Sequence, residues 1–308
     1  MIDLISLQSL IAVRDHGSVV AAARMLGFTP SAVSQQIKRL EHSGRQPMLE
    51  RVGRGVVLTE RGQLLADRGA ELLGGLDALD TLVQSSYDVI AGTYRLATFA
   101  TASRGLIAPL IARLNATTPA LNVTVLEKDP REIVHLVARG LADAGLVHDW
   151  TAMHLDLPPE VETAQLLVDR ADMIVHRDHP LAHYQRVSPL ELAGERWAVT
   201  PAGTICHDWL LQMYALHGMR PDLRYHADDY ATHVAMVAAG VAIALVPRMG
   251  RIDLPSTVIA IAVEDPVPER SVQLIWRRTA SGSPARALVH RELMAIVANC
   301  GTVPHPDA

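Results

Sequence analysis

The stretch that decides the fold is Thr29-Pro30-Ser31-Ala32-Val33-Ser34-Gln35-Gln36-Ile37-Lys38-Arg39-Leu40. Its first two residues predict a helix start, because Thr29 is a good N-cap and Pro30 suits a position whose backbone N–H would have no partner. Apolar side chains recur at helical spacing, which predicts a buried face. They are Val33, Ile37 and Leu40. The other face is a polar stripe made of Ser31, Ser34, Gln35 and Lys38.

Two further helices are predicted before this one. The spacing of apolar residues from Leu4 to Val13 favours an amphipathic helix that Gly17 ends. Ser18 can cap the next helix, and the turn Gly27-Phe28-Thr29 leads directly into the third. The pattern is that of a helix-turn-helix. Its polar stripe is then either a solvated surface or a face that enters the major groove of DNA, where glutamine can pair with adenine.

The residues after the third helix predict a wing. Two short strands are expected around a glycine turn that carries Arg51 and Arg54, and Thr59 can cap the helix that follows. Residues 1–62 contain eight Lys and Arg against five Asp and Glu, a balance of +3, which leaves −8 for the other 246 residues. A basic head on an acidic body indicates that only the head meets a polyanion.

Taken together, these residues resemble the LysR-type transcriptional regulators. The matching residues run in order through the whole head, and they are His16-Gly17-Ser18, Ala22-Ala23, Leu26, Pro30 to Ile37, Leu40-Glu41, Glu50-Arg51, Arg54 and Leu58 to Gly62. The chain departs from the family at Gly44-Arg45, where leucine and glycine are usual, and it has aliphatic residues where phenylalanine is common, at Leu10, Val19 and Leu49. The resemblance implies a regulator that binds inverted repeats in double-stranded DNA as a homodimer or homotetramer. The expected DNA-binding residues are Thr29, Pro30, Ser31, Ser34, Gln35, Lys38, Arg51, Arg54 and Thr59.

A long helix is predicted after Gly62. Leu65, Leu72 and Leu79 are spaced by seven, and Leu76, Val83 and Ile90 fall between them, as in a coiled-coil seam. Gly69, Gly74 and Gly75 weaken such a helix. A helix buried within its own chain is the alternative to a dimer seam. We therefore expect a winged helix-turn-helix at 1–62, a linker helix at 63–91 and an effector-binding domain at 92–308.

Strands alternate with helices from Gly92 onward, which predicts an α/β domain with mainly parallel sheets. Predicted strands cover 94–99, 121–126, 172–175, 197–199 and 241–246, and residues 140–146 lead into a further strand. Predicted helices cover 107–114, 131–139 and 232–239. The segment from Val237 to Pro247 resembles the effector domain of the same regulators. That resemblance implies two Rossmann-like subdomains, as in periplasmic binding proteins, at about 92–165 with 268–300 and at about 166–267. Two crossover strands would join them, with a ligand in the cleft.

The resemblance to the same regulators places the effector contacts in two loops that follow strands. They contribute Thr101, Ser103, Thr200, Gly203 and Thr204, and Asp129 and His148 are expected beside them. Helix N-termini at the ends of strands present N–H groups to anions, so a small polar effector, anionic in particular, fits there. Arg104 would add a counter-charge. Simple helix capping is the alternative role of these hydroxyl groups.

Other classes of function find little support. No apolar run reaches the roughly 18 residues of a membrane span, and Met1-Ile2-Asp3 lacks a cationic signal sequence, so we expect a cytoplasmic protein without membrane contact. His176, His179 and His183 have no cysteine or carboxylate that completes a metal site, and no cofactor motif occurs. Cys206 and Cys300 form no metal pattern, which favours buried or incidental thiols over redox sensing.

An enzyme is not expected either, because the pairs His148-Asp149 and His207-Asp208 lack a nucleophile motif. Two alternatives to a ligand-responsive regulator stay open. One is a constitutive repressor with a vestigial cleft, and the other is a small-molecule-binding protein or enzyme built on the same α/β domain.

Overall fold

The computed structural model describes residues 2–52, 55–85 and 90–300. By their internal contacts these residues fall into two compact units, Met1–Asp80 and Thr81–Ala308. Within the described part of the chain, no helix is both long and apolar enough to cross a membrane.

The first unit is a winged helix-turn-helix. It contains the helices α1 (Leu4–His16), α2 (Val19–Leu26) and α3 (Pro30–Gly44), the antiparallel hairpin of β1 (Leu49–Val52) and β2 (Gly55–Leu58), and α4 (Glu60–Ser85) as far as Asp80. The predicted caps are confirmed: the side-chain oxygen of Ser18 accepts the N–H of Ala21, and that of Thr29 accepts the N–H of Ala32. Pro30 stands at the start of α3 as predicted.

The three short helices enclose one apolar core. Val33, Ile37 and Leu40 of α3 are buried in it, as their spacing predicts. Helix α3 runs past Glu41 to Gly44 and is capped by Arg45, whose φ of 52° lies in the left-handed region. One carboxylate oxygen of Glu41 accepts the N–H groups of Met48 and Leu49. The end of α3 is thereby tied to the start of the wing, and the departure from the family pattern at Gly44-Arg45 does not interrupt it.

Helix α4 packs its first turns on this core. Leu65, which the heptad spacing placed in the seam, is partly buried against the core of its own unit, and its place in a seam stays a prediction. Gly69 lies so close to α1 that a Cβ would stand 2.6 Å from a methyl carbon of Leu7, and this close packing offsets the low helix propensity of glycine. Leu72 and Leu76 are 55% and 37% exposed, and their place in a seam stays a prediction. The side chains of Leu79 and Val83 lie outside the described part of the structure.

The second unit is an α/β domain with a mixed sheet. Its strands are β3 (Gly92–Thr98), β4 (Leu121–Glu127), β5 (Ala144–Trp150), β6 (Val161–His176), β7 (Arg186–Val187), β8 (Arg196–Val199), β9 (Asp222–His226), β10 (Ala244–Pro247), β11 (Val258–Val263) and β12 (Glu269–Arg277). Its helices are α5 (Ala100–Ala102), α6 (Ala108–Thr117), α7 (Pro130–Ala138), α8 (Ile205–Ala215), α9 (Tyr230–Ala238) and α10 (Pro284–Cys300). Single 3-10 turns cover Pro180–His183 and Arg278–Ala280.

Two long crossings join the halves of this domain. The main sheet has the order β4-β3-β5-β12-β6-β11-β7, and β10 also pairs with β6. Strand β6 crosses from one half to the other, and the chain returns through β11 and β12, which both run antiparallel to it. Strands β3, β4 and β5 are parallel, as are β8 and β9. The prediction of mainly parallel sheets was wrong because a chain that crosses between two halves and returns must reverse its direction.

The helix after β3 also differs from the prediction. It begins at Ala100 rather than Ile107, because a π-helical turn, Ser103–Ile107, joins α5 to α6 without a break. Residues 100–104 are therefore helical, not a loop. The backbone of Gly250 lies against the first turn, where a Cβ on that residue would stand 2.0 Å from the carbonyl oxygen of Thr101. Gly250 has a φ of 67°, and glycine suits both the conformation and the close approach.

Candidate functional site

The outer face of α3 presents polar groups to solvent. Ser31, Gln35 and Lys38 are exposed. The hydroxyl of Ser34 donates to the carbonyl of Pro30 at 2.9 Å, and the hydroxyls of Thr29 and Ser31 are 3.0 Å apart. The side chains of Gln35 and Lys38 make no hydrogen bond to any described residue, so their donors and acceptors are available to a binding partner.

Two of the DNA-binding residues predicted in and just after the wing, Arg51 and Thr59, belong to the described part of the structure. Arg51 on β1 is exposed, whereas Arg54 lies outside the described residues. Thr59 has two internal bonds: its hydroxyl donates to the carbonyl of Pro47 and accepts the N–H of Gly62. Thr59 thus caps α4 as predicted, and its hydroxyl is committed to that role.

The second unit contains a cavity of about 370 Å³ between its two halves. Its wall combines aromatic, hydroxyl, acidic and cationic side chains. The lining residues are Phe99, Ala100, Thr101, Glu127, Lys128, Asp129, Pro130, Glu132, His148, Thr200, Thr204, Cys206, Asp228, Tyr230 and Arg270. Five of the seven effector residues expected from the sequence are among them.

Two of the expected effector residues are not in this wall. Ser103 lies in the π-helical turn, where its hydroxyl is buried and makes no hydrogen bond to a described residue. Gly203 accepts a hydrogen bond at its carbonyl from Arg131, 2.8 Å away. Arg104 turns away as well, because its Nε donates to the carbonyl of Gly250. Because the chain is helical from residue 100, the side chains of Ser103 and Arg104 point in other directions than that of Thr101, which does line the cavity.

The expected residues that do line the cavity also support its shape. Thr204 is the N-cap of α8 and its hydroxyl lies 2.8 Å from that of Thr200. Asp129 caps α7, and its second oxygen accepts the N–H of Ile205 from the opposite half at 3.3 Å. Burial raises the pKa of Asp129 above its ordinary value. These bonds, with the 2.7 Å ion pair between Arg131 and Asp208, hold the halves together beside the cavity.

The central cation of the cavity, Arg270, escaped the sequence analysis. It is 1% exposed, it pairs with Asp169 at 2.7 Å, and it donates to the hydroxyl of Thr101 at 2.7 Å. Its guanidinium also lies 5.2 Å from the ring centre of Phe99. One signal was present: Arg270 is in phase with the buried Val272 and Leu274 of β12, so strand alternation places it on an inner face.

His148 and Cys206 form the remaining polar part of the inner wall. The Sγ of Cys206 lies 3.8 Å from Nε2 of His148, whose ring meets Phe99 edge to face. The Nδ1 of His148 is buried and has no hydrogen-bond partner among the described residues. Burial, helped by the nearby charge of Arg270, lowers the pKa of His148 well below its ordinary value. Burial raises the pKa of the Cys206 thiol, and Arg270 opposes that shift.

The lowered pKa of His148 predicts loss of stability in acid. Below pH 6.5, the ordinary value, the unfolded chain takes up a proton that folded His148 does not, so unfolding becomes easier as the pH falls. The expected slope approaches about 1.4 kcal/mol per pH unit for one such group. Chemical denaturation between pH 7.5 and 5.5 measures it. Because burial also lowers the pKa of His233 and of His290, His148→Phe should reduce the slope without removing it, and exposed His135→Gln should not reduce it. Equal slopes in both variants would contradict the assignment.

The described residues contain no group of three or more His, Cys, Asp or Glu that could hold a metal ion.

Two family models match the chain. One, described as bacterial regulatory helix-turn-helix protein, lysR family, matches residues 4–63, and the other, described as LysR substrate binding domain, matches residues 88–295. The chain belongs to the LysR family. It is thus a DNA-binding transcription regulator with a substrate-binding domain.

LysR-family relatives cover nearly the whole chain. An uncharacterised HTH-type transcriptional regulator of Escherichia coli, YbhD, is 27% identical over 285 residues, which is 92% of this chain and 88% of the relative. A hydrogen peroxide-inducible genes activator of Pectobacterium carotovorum is 26% identical over 282 residues, 91% of each chain. These relatives are transcription regulators rather than enzymes.

Solved structures share the fold. A full-length OxyR cysteine variant from Pseudomonas aeruginosa has a TM-score of 0.68 at 18% identity and covers 96% of this chain and 98% of its own. Full-length BenM has a TM-score of 0.61 at 21% identity, with 99% and 100% covered. A cysteine-to-serine mutant of Corynebacterium glutamicum OxyR with hydrogen peroxide bound has a TM-score of 0.58 at 17% identity, with 100% and 98% covered.

For a LysR regulator, the exposed Arg51 predicts a phosphate contact. Removal of one such contact should lower the slope of log K against log salt by about 0.9. We expect this of Arg51→Ala in DNA titrations at several salt concentrations. Arg220→Ala, which removes an exposed arginine from the other unit, is the matched control and should leave the slope unchanged. An unchanged slope for Arg51→Ala would show that Arg51 does not contact DNA.

Proposed function

We propose that this LysR regulator binds an interrupted inverted repeat in promoter DNA as a dimer or tetramer and that a small polar effector in the cavity controls this binding. The head would be residues 1–62, the linker helix 63–91 and the effector domain 92–308. The cytoplasm, where promoter DNA lies, is the compartment we propose. No cofactor and no catalytic step are needed.

The proposed DNA contacts come from α3 and the wing. Gln35 and Lys38 would meet base edges or phosphates, and Arg51 would meet the backbone, because all three are exposed on the basic head. Ser31 and Ser34 would support them. Thr29, Pro30 and Thr59 would act mainly through the positions of α3 and α4, since Thr29 and Thr59 cap these helices and Pro30 begins α3. Arg54 is proposed from the sequence alone.

The single observation that carries effector binding is the cavity itself, which both halves of the domain line. Thr101, Asp129 and His148 come from one half, and Thr200 and Thr204 come from the other. A molecule held by both halves favours the closed arrangement over an open one. A ligand changes DNA binding only to the extent that it binds two conformations unequally, and a site shared between the halves supplies that difference.

A thermal-shift screen of metabolites on the full chain tests this proposal. A ligand present at 100 times its dissociation constant should stabilise the fold by about 2.7 kcal/mol. Ala100→Trp, which puts an indole into the cavity, should abolish the shift and the effect of the same metabolite on DNA binding, while binding without it persists. Leu190→Trp, at an exposed position elsewhere in the domain, is the control. Equal shifts in both variants would contradict the proposal, and no shift with any metabolite would favour the constitutive repressor.

Oxidation of Cys206 is a second candidate for the signal. The thiol lines the cavity, lies near Arg270 and His148, and is the second residue of α8, where the helix N-terminus favours a thiolate. Two of the relatives, from Pectobacterium carotovorum and Dickeya chrysanthemi, are hydrogen peroxide-inducible genes activators. A thiolate that attacks hydrogen peroxide becomes a sulfenic acid, and the leaving hydroxide takes up a proton to form water. The burial that raises the pKa of this thiol acts against it.

Peroxide treatment of the full chain tests this candidate. If it holds, a mass gain of one oxygen and a sulfenic-acid label should appear at Cys206 together with a change in DNA binding. Cys206→Ser should lose both responses. A peroxide response that persists in Cys206→Ser would reject this cysteine as the sensor.

A further inference from the structure

The wall of the effector cavity is divided by charge. Its buried end carries the guanidinium of Arg270, which is 1% exposed. Its exposed residues are acidic and comprise Glu127, Glu132 and Asp228. Since all of them line one cavity, the cation marks its inner end and the carboxylates mark its mouth.

The inner end has unused hydrogen-bond donors. Nε and Nη2 of Arg270 are bonded to Asp169 and Thr101, but its Nη1 makes no hydrogen bond to any described residue. The eleven-residue helix α8 adds a second donor. Asp129 accepts the N–H of Ile205 and Thr204 accepts those of His207 and Asp208, which leaves the N–H of Cys206 without a partner in the described structure. A guanidinium nitrogen and a helix N-terminus both suit a carboxylate.

The mouth has an excess of carboxylates. Among the described residues of the cavity wall, Lys128 is the one Lys or Arg besides Arg270, and it pairs with Glu132 at 3.3 Å. The side-chain carboxylates of Glu127 and Asp228 make no hydrogen bond or ion pair with described residues. A second anionic group on a ligand would meet repulsion there, whereas an ammonium group would be attracted.

We infer that the effector is a small aminocarboxylate, bound with its carboxylate at Arg270 and the N-terminus of α8 and its ammonium group at the carboxylates of the mouth. This inference rests on the proposed function and specifies the chemistry of its ligand. A simple anion leaves the mouth uncompensated, and a simple cation leaves the inner donors unused. The aminocarboxylate satisfies both ends.

Four five-carbon probes test the inference by calorimetry on the full chain: 5-aminopentanoate, norvaline, pentanoate and pentylamine. At least one of the two aminocarboxylates should bind. Pentylamine should bind at least about tenfold more weakly, because the buried donors lose a charged partner. Pentanoate should bind about threefold to tenfold more weakly, because exposed ion pairs contribute less.

The double variant Glu127→Gln/Asp228→Asn should bring the aminocarboxylate and pentanoate to within about twofold of each other. Asp253→Asn, an exposed carboxylate outside the wall, should keep the wild-type preference. The inference is overturned if pentanoate or pentylamine binds as tightly as the better aminocarboxylate, if none of the four binds, or if the double variant keeps the preference. The proposed function would still stand in each case if the metabolite screen finds another ligand whose binding Ala100→Trp abolishes.

Discussion

The double variant Leu72→Asp/Leu76→Asp is expected to dissociate the oligomer. Both leucines lie on α4, four residues apart, and are exposed in the single chain. In a symmetric seam, aspartates there would face each other without counter-charges, at a cost of several kcal/mol. A monomer binds only one half of an inverted repeat and loses the benefit of linked sites, so DNA affinity should fall at least about a hundredfold. Sedimentation velocity and DNA titration measure the two effects.

The matched control adds a charge elsewhere on the same helix. Gln63→Asp changes an exposed residue of α4 and should leave both the mass in solution and the DNA affinity near wild type. If the double variant also keeps its wild-type mass and affinity, the seam does not run through Leu72 and Leu76. The alternative of a helix used only within its own chain would then be favoured.

Gln35→Ala is expected to weaken binding at the preferred DNA site by about 1–3 kcal/mol, or roughly fivefold to 150-fold. Gln35 is exposed on α3 and has no hydrogen-bond partner among the described residues. An amide that bonds both edge groups of one adenine discriminates against other bases, so its loss should relax sequence preference at that position. Fluorescence anisotropy with the preferred and a scrambled duplex separates the two effects.

The neighbouring glutamine provides the control. Gln36 is half-buried, and its side-chain oxygen accepts the hydroxyl of Ser9 at 2.5 Å. Gln36→Ala should therefore lower the stability of the head and leave the sequence preference intact. Equal weakening of the preferred and scrambled sites by Gln35→Ala would show that Gln35 does not specify sequence.

The fold of the head could be predicted from the sequence because interactions between neighbouring residues determine its helices. Ser18, Thr29 and Thr59 each bond to a backbone N–H three residues later, and such caps can be read from neighbouring residues. The apolar spacing of α3 likewise depends on the helical period alone. The packing of Leu65 against its own unit was not foreseen, because a heptad pattern does not distinguish a partner helix from the core of the same unit.

The effector cavity was only partly predictable, because distant residues build it. Arg270 and Asp169 meet across 101 positions of sequence, and nothing near either residue indicates the pair. Ser103 was placed in the wall because residues 100–104 were expected to form a loop, whereas packing against Gly250 accompanies a helix there. Thr204 was placed correctly because it lies in a loop that follows a strand, and it also caps α8, the alternative role that the sequence left open.

Selection of bound duplexes from a random DNA library by the full-length protein tests the central claim most directly. The account predicts enrichment of an interrupted inverted repeat, and it predicts that Gln35→Ala loses the preference at one position in each half. Enrichment of no sequence, or of a single site without two-fold symmetry, would contradict a sequence-specific regulator that binds as a symmetric oligomer through α3.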